Sequence, residues 1–447
     1  MYYSLIFSLL VSSVLTAVDV CANILPLGPP ALVVPINRSF HQKPPVHSSS
    51  LPVCDVPKVQ EECANMGNKY RDVQQKLQLA SGIDLDIIKL AEGAVPEDEV
   101  EEAFIPPLMS HELPLKDYIS DNLDMLYFGD VYMGTPPQKL TFDVDSGSAD
   151  FWMPVNCSRC DNKGFDDTKS SRPKNSDEDV EYLSVSYGSG EVYGTLRQER
   201  VSVAGLEVPD LFFIAVANLD GDFNDLPNDG LMGFAFSSIS ESGKPTFFET
   251  LVRNGMLPAP MFSVHLTRHQ ETGSSLCFGG IDRLKTLGPV EWVPVLKETY
   301  WSVSMDAIVV SKNKEMTTDI IAIIDTGTTL IYLPDKVALD LYQLIGGRQA
   351  PEFGSQFYVY PCNTTPDIAF SFDKRRFSIN PKDFNLGRTS EGSEDCVGGI
   401  LALGSGFPSN LAIIGDEFMK SWYTTFDYTG GPTGGARVGF SPSINNS

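Results

Sequence analysis

Two stretches of 13 residues in this chain superpose without a gap. Setting "FDVDSGSADFWMP" (Phe142 to Pro154) on "AIIDTGTTLIYLP" (Ala322 to Pro334) places Asp145 on Asp325, Gly147 on Gly327, Trp152 on Tyr332 and Pro154 on Pro334. An apolar pair and a glycine come after each copy: Leu231, Met232 and Gly233 in the first, Ile413, Ile414 and Gly415 in the second. The glycines stand 88 and 90 positions after their aspartates. Matched landmarks at nearly equal spacing mean a duplicated unit, so two lobes related by an approximate two-fold axis are expected. Such an axis brings equivalent points together where the lobes meet, which sets Asp145 against Asp325.

Two carboxylates a few ångström apart cannot both ionise cheaply, so one keeps a proton and the pair titrates as a unit. A pair of this kind can deprotonate a shared water as it attacks a carbonyl, then protonate the oxygen or the leaving nitrogen. Gly147 and Gly327 permit a tight turn and free a backbone N–H to approach a carboxylate. The hydroxyls of Ser146, Ser148, Thr326 and Thr328 are expected to donate to carboxylate oxygens and hold their orientation. Either Asp-Ser/Thr-Gly alone is simply a good turn; the repetition is what points to a site. Rival chemistries lack their frames. There are 5 histidines, at 41, 47, 111, 265 and 269, without an H-E-x-x-H zinc motif, and neither a G-x-S-x-G elbow nor a P-loop occurs.

A chain of 447 residues exceeds one ordinary core, and 37 Gly with 31 Pro suit short strands joined by turns. From Leu113 onward, runs such as "YFGDVYMG", "QKLTFDVD", "LFFIAVA", "YWSVSMDAIVV" and "IIAIID" alternate or form short apolar blocks, the pattern of strands. "KPTFFETLVRNG" and "DKVALDLYQLIGG" are the expected helices there. The region before it differs. A strand over "ALVVPINRSF", a helix over "NKYRDVQQKLQLASGIDLDIIKLAEG" and an exposed acidic linker "PEDEVEEAF" are expected. A net charge of −25 makes nucleic acid and anionic membranes poor partners.

Leu5 to Ala17 is too short an apolar run to span a bilayer, and "VCA" at 20–22 offers small residues for cleavage, so a signal peptide over 1–22 is expected. In an oxidising compartment Cys157 with Cys160, and Cys362 with Cys396, can close as disulfides, and Cys54 with Cys63 can pair in the N-terminal region. Cys277 is then left as a buried thiol. N-x-S/T sequons stand at Asn37, Asn156, Asn363 and Asn445.

With these motifs the chain from about Leu113 to Phe440 resembles the pepsin-like aspartic endopeptidases. The resemblance implies an all-β, bilobal fold: two pseudo-symmetric β lobes, 111–300 and 301–447, around a central cleft. It implies that Asp145 and Asp325 are the catalytic pair, and that Tyr187, Gly188 and Ser189 in "SYGSG" form a flap over the cleft, supported by Trp152. The cysteine pairs 157–160 and 362–396 match disulfide positions of that family. Residues 23–110 resemble its mixed α/β propeptide, with Lys69 and Tyr70 plugging the cleft until acid loosens them. The same resemblance implies a secreted or vacuolar/lysosomal monomer that needs no metal or organic cofactor. Its partners would be protein or peptide substrates cut between bulky apolar residues, its own propeptide, and pepstatin-type inhibitors. A catalytically inactive binding protein on the same fold, and a β-rich adhesion or carbohydrate-binding protein, are the rival readings; the second leaves the duplicated frame unexplained.

Overall fold

The computed structural model describes residues 51–81, 111–157, 159–171, 181–188, 190–311, 314–428 and 435–447. The expected signal peptide, the strand over 31–40, Asn37, the acidic linker over 96–104 and Ser189 lie outside the described residues.

Strand β3 (Gln138–Asp145) buries Phe142 and Val144 on alternate positions, as the period of an extended chain requires. It runs parallel to β8 (Gly230–Gly233), with Asp145 opposite Gly233. Between them in sequence lie β4 (Phe151–Pro154), β5 (Tyr182–Tyr187), β6 (Gly190–Val203) and β7 (Leu206–Leu219). Strand β4 turns back antiparallel to β8, placing Trp152 opposite Leu231, and its other edge runs parallel to β7, with Trp152 opposite Ile214.

The second half repeats each pairing. Lys314–Ile324 runs parallel to Leu411–Ile414, and Ile331–Leu333 turns back with Tyr332 opposite Ile413. The other edge of Ile331–Leu333 runs parallel to Ile400–Ala402, with Tyr332 opposite Leu401. The duplicated sequence frame is thus a duplicated hydrogen-bonding frame, and the fold is the expected bilobal all-β one.

The described strands form sheets of 13, 7 and 4. The largest continues past the first half, because Trp422–Asp427 pairs with Met261–His265, Arg437–Pro442 adds to that, and Glu291–Pro294 closes the edge. Trp301, Phe234, Phe262 and Phe426 pack there, and the Trp301 indole donates to the Phe234 carbonyl at 2.9 Å. The expected helices appear as Phe247–Arg253, opened by a capping box of Thr246 and Glu249, and as Asp335–Leu344.

The N-terminal helix begins earlier than the apolar spacing suggested. Helix α1 spans Val56–Lys69, started by Asp55, whose side chain accepts from the Lys58 N–H at 2.9 Å, and by Pro57 in its first turn. The chain breaks at Tyr70 and resumes as α2, Val73–Ser81. Val59, Cys63, Met66, Tyr70, Val73 and Leu77 make one buried stripe across both helices. That stripe packs on Leu123 and Met125 of the first lobe and on Ile323, Tyr332, Val359 and Leu401 of the second.

Cys54 and Cys63 do not pair; both are buried free thiols, which burial pushes up to about 12. Cys54 precedes the helix cap and Cys63 lies two turns inside it, which at helical rise separates them by roughly 12 Å, about twice a disulfide's reach. The other two bridges are present, Cys157–Cys160 and Cys362–Cys396, with Cα atoms 5.5 and 5.0 Å apart. The Cys277 thiol is buried and donates to the Gly280 carbonyl at 3.4 Å.

Candidate active site between the lobes

Asp145 ends β3 and Asp325 directly follows the strand Lys314–Ile324, and in both the next residue faces the other lobe. The Gly147 N–H donates to Asp145 Oδ1 at 2.8 Å and the Gly327 N–H to Asp325 Oδ1 at 2.9 Å, so both carboxylates are oriented by their own turns. Ser148 Oγ donates to Asp145 Oδ2 at 2.7 Å, and Thr328 Oγ1 does the same to Asp325 Oδ2.

Ser146 and Thr326 do not touch the carboxylates, contrary to the expectation for all four hydroxyls. Side chains alternate sides at the end of a strand, so the residue after the aspartate points away from it. The Ser146 N–H donates to Thr326 Oγ1 at 3.0 Å and the Thr326 N–H to Ser146 Oγ at 2.9 Å. The hydroxyls then donate onward to the Ile324 and Val144 carbonyls, at 3.0 and 2.6 Å. Four crossed bonds lock one frame to the other. The glycines are required by the same closeness: a Cβ on Gly147 would come within 2.7 Å of the Asp325 carboxylate oxygens, and one on Gly327 would meet Asp145.

Lys69, at the end of α1, lies between the two. Its Nζ donates to Asp145 Oδ1 at 2.8 Å, to Asp325 Oδ2 at 2.9 Å and to the Gly327 carbonyl at 3.1 Å. Tyr70 is fully buried beside it and donates its hydroxyl to Asp325 Oδ2 at 2.8 Å. Burial pushes the Asp145 carboxyl above the ordinary range against the pull of Lys69, with the Asp325 charge adding to the rise. Burial also pushes Asp325 up, but Lys69, Thr328 and the Gly327 N–H outweigh it and hold that carboxyl below the ordinary range.

The hairpin of β5 and β6 brings Tyr187 and Gly188 to the cavity that Asp145 also lines. Tyr187 is 5% exposed, with its ring 6.2 Å from Trp152 and 5.8 Å from Phe223. The Tyr187 hydroxyl and the Trp152 indole N–H are both buried without a hydrogen-bond partner. Gly188 lies against the Asn65 backbone of α1, where no side chain would fit, and its carbonyl accepts from Asn68 Nδ2 at 3.5 Å. His265 and His269 take separate partners, Ser443 and Asp124.

The sequons differ in what their amides do. Asn363 is exposed, and Asn156 is exposed with its Nδ2 donating to Asp167 at 3.1 Å. Asn445 Nδ2 is committed to two carbonyls, Leu266 and Lys420, at 2.7 Å each.

Sequence reasoning missed two carboxylates in this cleft. Glu62 of α1 packs against Thr329, whose hydroxyl lies 2.8 Å from Glu62 Oε2. Asp143 lies two residues before Asp145, on the same strand face, and could have been found by laying the two copies of the frame together, where it stands opposite Ile323.

The profile of the eukaryotic aspartyl proteases matches residues 126–441. Among curated relatives, cathepsin E of Mus musculus is 31% identical over 85% of this chain and 92% of its own length. An aspartic protease of Phaffia rhodozyma is 32% identical over 72% of this chain and 77% of its own. Pepsin A of Suncus murinus is 31% identical over 74% and 83%. With a profile match across most of its length and relatives of this kind, the chain belongs to the eukaryotic aspartyl protease family.

Proposed function

We propose that this aspartic endopeptidase is made as a zymogen whose N-terminal segment occupies the cleft, and that Asp145 and Asp325 are its catalytic dyad. The observation that carries this reading is Lys69 Nζ, held at 2.8 and 2.9 Å from the two carboxylates. A cation there neutralises the pair and takes the place where a nucleophilic water must sit.

Release is a matter of linkage. Lys69 favours the ionised form of both carboxyls, so its docking is strongest when they are charged and weakens as falling pH protonates them. Once the segment leaves, the ionised member of the dyad takes a proton from water as the oxygen adds to the scissile carbonyl. The protonated member gives its proton to the carbonyl oxygen, and collapse of the tetrahedral intermediate passes a proton to the departing nitrogen. Gly147, Ser148, Gly327 and Thr328 hold both carboxylates in place throughout, and Tyr187 closes over the substrate.

The rest of the reading is a signal peptide over 1–22, a propeptide over 23–110 and lobes over 111–300 and 301–447. The mature monomer would act outside the cell or in an acidic vacuolar or lysosomal lumen. Two disulfides fit an oxidising route. Among the described residues no helix is long and apolar enough to cross a membrane.

The test is acid treatment of the purified full chain at about pH 3–4, where part of the dyad protonates, beside Asp325→Ala. The wild type should shorten to a form beginning near residue 110 and gain pepstatin-sensitive cleavage of denatured globin, and the variant should do neither. If the wild type stays inert even after another protease removes its N-terminal segment, the dyad is not catalytic and a binding role replaces this reading.

A further inference from the structure

Beside Asp145 a cavity of about 110 Å³ remains between the lobes and α1. Its walls include Phe223, Leu231, Met125 and the Tyr187 ring, and among the lining residues that the lobes contribute there is no lysine, arginine or histidine. Two of the oxygens that line it are acceptors without a donor. Asp143 Oδ1 and Asn228 Oδ1 are both shut off from solvent without a hydrogen-bond partner. Asn228 is 4% exposed, and its Nδ2 is fixed on the Gly230 carbonyl at 2.8 Å, which settles which end of the amide is left over. Asp222 and Asp225 add two more carboxylates at the exposed rim.

The internal duplication shows that Asp143 is not demanded by the fold. Its counterpart is Ile323, fully buried, which pairs with Ile413 as Asp143 pairs with Leu231. An isoleucine satisfies the strand in one lobe, and the other lobe places in the same position a half-buried carboxyl with one enclosed oxygen, a cost that a bound proton or a paired cation offsets. Burial, and then the Asp145 charge, hold the Asp143 carboxyl well above the ordinary range, while Lys69 pulls it down. The N-terminal segment itself meets this cavity with two lysines, Lys58 and Lys69.

We propose that this cavity is a subsite for a lysine or arginine side chain of the substrate flanking the scissile bond, its methylenes against Phe223 and Leu231 and its cation on Asp143 and Asn228. The proposal rests on the endopeptidase reading above and departs from the apolar preference that the family resemblance implies for this one position.

The test is digestion of a proteome-derived peptide library by the acid-activated full chain, titrated with pepstatin, with products sequenced by mass spectrometry. Lys and Arg should be enriched roughly tenfold at one fixed position beside the cut. Asp143→Leu should lose that enrichment and select aliphatic or aromatic residues there. A second measurement on the wild type alone, the kcat/KM ratio of two peptides differing only by Lys or norleucine at that position, should favour Lys. Cleavage without Lys/Arg enrichment, or enrichment that survives Asp143→Leu, overturns the subsite and leaves the endopeptidase reading standing. A chain that binds pepstatin but shows a Lys/norleucine ratio at or below one overturns it equally, whereas a chain with neither cleavage nor pepstatin binding overturns the endopeptidase reading and the subsite with it.

Discussion

At the scale of single residues, the dyad is built by atoms that are missing as much as by those present. Gly147 and Gly327 leave room for the opposite carboxylate, and Ser146 and Thr326 spend their hydroxyls on the other lobe's backbone. Thr326 Oγ1 accepts from the Ser146 N–H and donates to the Val144 carbonyl, all of it buried. Thr326→Val keeps the shape and strands both groups. At about 1–3 kcal/mol for each buried group left unpaired, urea unfolding should show a loss of roughly 2–6 kcal/mol, and activity should fall with it because the two frames are set against each other. A loss under about 1 kcal/mol would mean that the crossed bonds are incidental. The Asp-Ser/Thr-Gly frame was legible in sequence because strand, turn and carboxylate are all local. The crossing was not, since each partner lies about 180 positions away.

At the scale of elements, α1 carries a second titrating group with the opposite sign to the dyad. Thr329 Oγ1 is near both Glu62 Oε2, at 2.8 Å, and the Met125 carbonyl, at 2.9 Å, yet has one proton to give. The network closes if the carboxyl is protonated, donating to Thr329, which donates to Met125. Burial agrees, pushing Glu62 up to about 7 although Thr329 and Lys58 oppose it. The docked helix therefore binds a proton that the free segment, with an ordinary glutamate, releases above roughly pH 4.3. This contribution to docking is whole below that pH and is lost as pH rises towards 7. Glu62→Gln should leave docking unchanged near pH 4 and tighten it near pH 7, lowering pepstatin binding by the full chain at pH 7 roughly tenfold. Equal binding by both proteins at pH 7 would discard the idea. The helix start was missed because the apolar pattern from Asn68 onward outweighed the cap. Asp55 followed by Pro57, with Val59, Cys63 and Met66 at helical spacing, was the signal.

At the scale of the whole molecule, the duplicated landmarks gave two lobes, but not the sheet that runs through both, because Trp422–Asp427 and Arg437–Pro442 join it from the far end of the chain. A buried charge cluster forms where these ends meet. Strands β1 (His111–Ser120) and β2 (Leu123–Met133) bring Asp117 and Asp124 together, and Lys420 Nζ reaches Asp124 at 2.8 Å and Glu417 at 2.9 Å, with His269 on the other side of Asp124. Composition cannot reveal such a cluster, because its members lie up to about 300 positions apart. Asp124 has the Lys420 ammonium and the His269 ring against it; Asp117, 4% exposed, lies against the Asp124 carboxyl without an ion pair of its own among the described residues. Burial, with the Asp124 charge behind it, pushes Asp117 up to about 8 against the pull of Lys420. An unfolded aspartate titrates near 3.9, so the folded chain holds the extra proton between there and about 8, and stability must fall as pH rises across that window. Asp117→Asn keeps the shape without the charge. By calorimetry the variant and the wild type should melt together at pH 4, and at pH 7 the variant should melt higher by at least ~2–4 °C, the shift that about 1 kcal/mol makes in a unit of this kind. Coincident melting at pH 7 would show that Asp117 is already relieved by its surroundings, and an enzyme with this cluster would then lose stability on neutralisation for some other reason than the carboxyl pair at the junction of its two ends.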